Sequence, residues 1–233
     1  MMKTIPTGNE EVDRQLAGGI PTPCLMVIEG EHGTGKSALA AQFIKGMLNV
    51  DMKVLCITEN TVKDYIEKMK TITFNFTKPF LQNKLSILPL HVYGAMWSER
   101  QSSFLLPVIG RYISSNAKKC DVVVIDSISL LTMYSDADQI LDFLTRCKYL
   151  VSTGMSIILT MHATSIPEDV ALRIKSACDV YFSLSTSSIG GKSVKVMKII
   201  KLIGSTSQAE SSFAFEVDTN FGIKIVPIST ANA

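Results

Sequence analysis

One stretch, Gly30-Glu31-His32-Gly33-Thr34-Gly35-Lys36-Ser37, has residue types and a spacing suited to gripping phosphate. It reads glycine, four residues, glycine-lysine-serine, between the apolar run Cys24-Leu25-Met26-Val27-Ile28 and a helix-like segment, Ala38 to Leu48. Glycines let a backbone curl into a nest whose N–H groups point at phosphate oxygens, and a helix N-terminus adds positive potential there. Gly30, Gly33, Thr34, Gly35 and Ala38 would form that cradle. Lys36 would reach the terminal phosphates as a point charge, and the Ser37 hydroxyl would complete a Mg²⁺ shell. A Gly-rich turn alone would not require a strand before it and a helix after it. The stretch therefore reads as a nucleoside triphosphate site, and hydrolysis is a separate question.

A metal needs a second element. Val122-Val123-Val124-Ile125-Asp126 ends a buried-strand pattern in a carboxylate. On a strand adjacent to the loop strand, Asp126 would face the loop and accept from Mg²⁺-bound water. The alternative is an aspartate that simply opens the turn before Ser127. Ser127 stands where many motor ATPases carry a water-polarising glutamate. The remaining candidate base is Glu59, after Val54-Leu55-Cys56-Ile57-Thr58. A strand neighbouring the loop strand would bring its carboxylate near the terminal phosphate, where it could orient water. Alternatively, Glu59 caps the helix that follows. Thr160 or His162, at the end of a later strand, could serve as a sensor, although isolated histidines are often structural. His32 adds no phosphate contact that the loop backbone lacks, and is expected to face a partner or solvent.

Positioning these groups calls for a parallel sheet. Strand-like runs fall at Leu25–Glu29, Lys53–Thr58, Leu85–Leu90, Asp121–Asp126, Ser156–Thr160 and Val180–Leu184. Helical stretches separate most of them: Lys36–Leu48, Val62–Met69, Leu105–Ala117, Ala137–Val151 and Pro167–Ala177. Such alternation predicts an α/β fold, a mostly parallel sheet covered by helices on both faces. Val194–Ile203, Ser212–Val217 and Ile223–Ile228 alternate more and predict antiparallel strands extending one edge. Ser185 to Ser193, small and polar, predicts a mobile tip. Val92 to Gln101 holds the single Trp97, which suits either an interface or ordinary core packing.

The 233 residues predict one domain over 1–233. With 23 basic against 21 acidic residues the net charge is +2, which gives no electrostatic case for nucleic-acid binding. Charged residues are only 19%, so part of the polar surface could be replaced by protein interface. Five scattered cysteines without metal spacing, and no signal-like or membrane-length apolar run, predict a cytoplasmic protein.

The loop, Asp126 and the lead-in from Pro6-Thr7-Gly8-Asn9-Glu10-Glu11-Val12-Asp13 to Gly18-Gly19-Ile20-Pro21 together resemble the KaiC-like branch of the RecA superfamily. The resemblance runs from about Thr4 to Pro227. It implies a RecA-like core binding ATP and Mg²⁺. Members of the branch carry paired glutamates after the second strand, and here the pair reads Glu59-Asn60. They also offer a Lys-x-Arg pair to the neighbouring subunit's nucleotide. This chain keeps Lys201 but has Ile203 in the arginine's place, which implies slow or absent turnover. Within the branch, the single-domain length and Thr58-Glu59-Asn60-Thr61 resemble the ATP-binding components of the archaellum, the archaeal rotary filament. That likeness implies a ring-forming homo-oligomer, a hexamer, beneath the motor (secretion-type) ATPase. It would lie at the cytoplasmic face of the membrane platform, touching the membrane only through partners. Two other functions share this core: a KaiC-like signalling or autophosphorylating ATPase, and a RecA-like DNA repair ATPase. The second is opposed by the balanced charge and by a Ser185–Ser193 segment with one lysine and no aromatic.

Overall fold

Alternating faces of one buried strand build two apolar cores. The computed structural model describes residues 2–90, 103–162, 164, 166–189, 191–205 and 209–227. The expected Val92–Gln101 loop, with Trp97, lies outside the described residues. In chain order the elements begin with β1 (Lys3–Ile5), α1 (Glu10–Gln15), β2 (Ile20–Thr22), β3 (Leu25–Gly30) and α2 (Lys36–Asn49). They continue with β4 (Val54–Thr58), α3 (Val62–Lys70), α4 (Thr77–Leu81), β5 (Leu85–Pro89), α5 (Leu105–Asn116) and β6 (Val122–Asp126). Next come α6 (Ile128–Thr132), α7 (Ala137–Ser152), β7 (Ser156–Met161) and α8 (Glu168–Ala177). The chain closes with β8 (Val180–Ile189), β9 (Lys192–Leu202), β10 (Ser212–Asp218) and β11 (Gly222–Val226). Every residue of β3 is buried. Met26 and Ile28 join a cluster with Phe43 and Ile44 of α2, while Leu25 and Val27 join another with Phe143 and Leu144 of α7. That is the period-two pleat of a strand sandwiched between helix layers.

The main sheet has nine strands in the order β11-β10-β9-β8-β3-β7-β6-β4-β5. From β8 to β5 the strands are parallel, and β8 to β11 pair antiparallel, as the patterning predicted. β1 and β2 form a separate antiparallel pair. The lateral order corrects one expectation. Neither β6 nor β4 adjoins β3: β7 stands between β3 and β6, and β4 lies beyond β6. Chain order does not specify lateral order, because the crossover from β3 to β4 leaves two places that β6 and β7 fill later. Parallel strands still end at one edge, so their carboxyl ends align. Ile28 pairs with Thr160, Ile125 with Leu159, and Thr58 with Asp126.

Pairing continues from Ser185↔Val196 to Ile189↔Lys192, so most of Ser185–Ser193 forms the end of the β8–β9 hairpin. Backbone ladder bonds hold a polar sequence as well as an apolar one. α1, α4 and α6, with 6, 5 and 5 residues, are too short to show helical periodicity and escaped the sequence reading.

The lead-in secures both α2 and the sheet edge. Gln42 Nε2 donates to Thr7 O at 2.8 Å from inside the core. Gly46 makes room for that crossing, since a Cβ there would stand 2.4 Å from Pro6 O. Asn9 caps α1 and donates through Nδ2 to Ile223 O at 2.6 Å, and Glu11 Oε2 accepts from Ile225 N at 3.2 Å. These bonds occupy backbone groups of the edge strand β11 that would otherwise invite another strand. Cys24, Cys56, Cys147 and Cys178 are buried, and burial pushes the Cys56 thiol up to about 12, so it acts as apolar filling.

Candidate functional site

The phosphate-type loop is shaped by what cannot fit. A Cβ on Gly30 would lie 2.7 Å from Leu184 O and equally close to Thr34 Oγ1. The loop then turns on itself, with Thr34 Oγ1 donating to Glu31 O at 2.8 Å. Gly33 and Gly35 have φ of +77° and +94°, the region that L side chains avoid. Gly35 is also the N-cap of α2 and has no side chain to satisfy the first-turn N–H groups, which leaves them for an anion.

Lys36 is buried at the head of α2, and its ammonium donates to Gly30 O and Glu31 O, both at 2.8 Å. Burial lowers its pKa, while Asp126 and Glu31 oppose that shift. A partly desolvated ammonium is a strong partner for phosphate, because little hydration must be given up. Asp126, at the end of β6, accepts from Thr160 Oγ1 at 2.6 Å. This fixes one carboxylate oxygen and leaves the second for a metal-bound water. Thr160 therefore acts as a positioning partner of Asp126. His162 lies 3.3 Å from Lys36 Nζ through Nδ1, and its ring lies tilted against His32 with centroids 4.0 Å apart.

A cleft of about 560 Å³ gathers Gly33, Gly35, Lys36, Ser37, Ala38, Glu59 and Asp126. Gly30 and Thr34 hold the loop from beneath. Glu59 reaches the cleft although its strand is three places from β3, because it directly follows Thr58, the register partner of Asp126. Among the described residues no cluster of three His, Cys, Asp or Glu could hold a metal by itself. That donor set fits Mg²⁺, which binds through few protein oxygens together with substrate phosphates: here Asp126 and the Ser37 hydroxyl. The volume lies in the range of small-molecule sites.

Lys201 is the one named site residue placed away from this cleft. It pairs with Tyr181, which is level with Val27 in the middle of β3, and its Nζ donates to Ser176 O and Cys178 O beside the end of α8. Conversely, the sequence reading missed several residues lining the cleft. Lys195 of β9 and Phe215 of β10 lie 3.0 and 3.2 Å from where a Gly35 Cβ would stand. Lys195 and Val217, with Lys68, Met69, Thr71 and Ile72 at the end of α3, line the cleft together with Asn60, Ser127 and the two histidines. Met69, Ile72 and Val217 offer apolar surface for a nucleobase, and Lys68 and Lys195 add positive charge. Only the spacing of Lys195 from Met197, two residues on along the same strand face and buried in the core, hinted at a lysine facing inward.

Comparisons with known proteins agree with this geometry. The family model described as "ATPase: KaiC" matches residues 5–230. The archaeal flagellar ATP-binding protein FlaH of Sulfolobus acidocaldarius is 42% identical over 230 residues, covering 98% of this chain and 99% of that protein. The protein of the same name from Methanocaldococcus jannaschii is 26% identical over 230 residues, covering 97% of each. The crystal structure of flagellar accessory protein FlaH from Methanocaldococcus jannaschii superposes with a TM-score of 0.86 at 23% identity. It covers 98% of this chain and 100% of that one, a likeness of fold.

Proposed function

We propose a function for a chain that belongs to the KaiC family of ATPases and, within it, stands with the FlaH proteins. It binds ATP with Mg²⁺ as a regulatory part of the archaellum machinery, and turns that ATP over slowly or not at all. The observation that carries this reading is an asymmetry. Lys36, Ser37, Asp126 and Glu59 converge on one cleft, while Ile203 stands where the resemblance to the KaiC-like branch implies an arginine offered to a neighbour. Binding groups are present, and a group that stabilises transition-state charge is replaced by an aliphatic one. Glu59 is the residue assigned to orient water, and Lys201 the residue assigned to a neighbouring subunit's nucleotide.

In this account ATP is a structural ligand. By mass action it stabilises whichever conformation and assembly bind it best. The assembly is a homo-oligomeric ring, with six subunits as the working number, that meets the motor ATPase at the cytoplasmic face of the membrane platform. Among the described residues no helix is long and apolar enough to cross a membrane. The test is co-purification with the motor ATPase, with and without Mg-ATP. Association is expected only with nucleotide for the natural protein, and at neither condition for Asp126→Ala, which loses the metal carboxylate. Association that persists after ATP binding has been abolished contradicts the gating role.

A further inference from the structure

Lys36 has three N–H groups and no acceptor. Gly30 O and Glu31 O take two of them at 2.8 Å, and His162 Nδ1 stands 3.3 Å from the same ammonium. An ammonium only donates, so a hydrogen bond here requires a bare Nδ1: a neutral imidazole with its proton on Nε2. His162 is held for this contact, since its backbone N–H donates to Ser129 Oγ at 2.9 Å and its ring lies against His32. The charged and titratable groups around it come from three elements. Lys36 belongs to α2, Glu31 and His32 to the phosphate loop, and Asp126 to the end of β6. Burial first, then Lys36 and His32, lower the pKa of His162, while Asp126 and Glu31 act in the opposite direction.

A phosphate oxygen is a stronger acceptor for an ammonium N–H than a neutral imidazole nitrogen. A nucleotide that draws on Lys36 therefore competes with His162 Nδ1, the longest of the three contacts. We propose that His162 reads bound phosphate through Lys36: nucleotide binding exchanges the Lys36–His162 hydrogen bond for a Lys36–phosphate bond, and the released imidazole takes up a proton. The proton comes from solvent and goes to Nδ1, giving an imidazolium beside the phosphate anion, and no covalent bond to the nucleotide forms. The proposal rests on the ATP-binding reading above and adds to it a proton-coupled signal. The sign follows from linkage. The free protein holds His162 below its ordinary 6.5, and the bound form raises it, so binding takes up a proton between those values and tightens as pH falls through that window.

The chain has three histidines, so ring signals in ¹H–¹⁵N spectra recorded from about pH 5 to 8 are few, a range spanning ordinary imidazole titration. His162→Gln assigns the signal by its disappearance. In the wild-type protein, saturating Mg-ATP is expected to raise the midpoint of that signal by about one unit or more, a shift of the size a neighbouring charge causes. Lys36→Met is expected to raise it without nucleotide, because the cation that holds the ring neutral is gone. A midpoint unmoved by Mg-ATP, with saturation shown by calorimetry, overturns the coupling and leaves ATP binding intact. A midpoint unmoved in Lys36→Met overturns the contact beneath the proposal. Absence of any calorimetric binding of Mg-ATP to the wild-type protein contradicts the ATP reading itself, and the coupling with it.

Discussion

Lys36→Ala is expected to lower affinity for Mg-ATP about a hundredfold or more while leaving the fold in place. Truncating one partner of a buried, charge-assisted contact costs roughly 2–5 kcal/mol, and each 1.4 kcal/mol is tenfold in affinity. Lys36 satisfies the conditions for the upper part of that range. It is buried, and its amine is already pointed by Gly30 O and Glu31 O at the mouth of the loop. The fold is expected to survive because the packing of α2 rests on Leu39, Phe43, Ile44 and Met47, all buried on the far side of the helix cap. Thermal melts separate the two effects. A ligand that binds only the folded state raises the melting temperature by mass action, so the rise with Mg-ATP should disappear in Lys36→Ala while the midpoint without nucleotide stays near wild type. A retained rise contradicts the assignment of Lys36.

Ile203→Arg is the second large effect, and it acts on turnover. Ile203 follows the end of β9, is 49% exposed, and donates its backbone N–H to Asp179 O at 3.0 Å, so the backbone is fixed and the side chain is free to meet another subunit. An arginine supplied to a neighbouring site is worth about 10³–10⁵ in rate in systems built around it. Here a gain of about ten- to a thousandfold is expected, because in the proposed assignment Glu59 orients water without the second glutamate that the KaiC-like resemblance implies, Asn60 standing in its place. The gain should act between subunits. Protein carrying both Ile203→Arg and Lys36→Ala is inactive by itself, yet on mixing with wild type it is expected to restore turnover in the wild-type sites. Phosphate release unchanged in Ile203→Arg and in the mixture would show that something other than the missing arginine limits the site.

What could be read from the chain followed the range of each interaction. The loop from Gly30 to Ser37 is a local object, with strand, positive-φ glycines and helix start contiguous in sequence, so spacing alone exposed it. Asp126 and Glu59 were legible for a different reason: buried parallel strands deliver their last residues to one edge whatever their lateral order. That order was not legible, because nothing in β6 or β4 states that β7 will stand beside β3. Lys195 and Val217 escaped notice on the same ground. They reach the cleft only because β9 folds back on β8, β10 folds back on β9, and β8 lies beside β3, the last a pairing between residues far apart in sequence. The contact of His162 with Lys36, 126 residues away along the chain, is equally a product of the assembled sheet.

In the proposed function the site binds ATP and seldom cleaves it. One paired measurement on the unmodified protein tests that most directly: Mg-ATP affinity by calorimetry, and phosphate release at saturating nucleotide on the same sample. Saturable binding is expected, with turnover well below about 1 s⁻¹, the lower end of ordinary enzymes. Turnover above that value, or no binding at all, would contradict it.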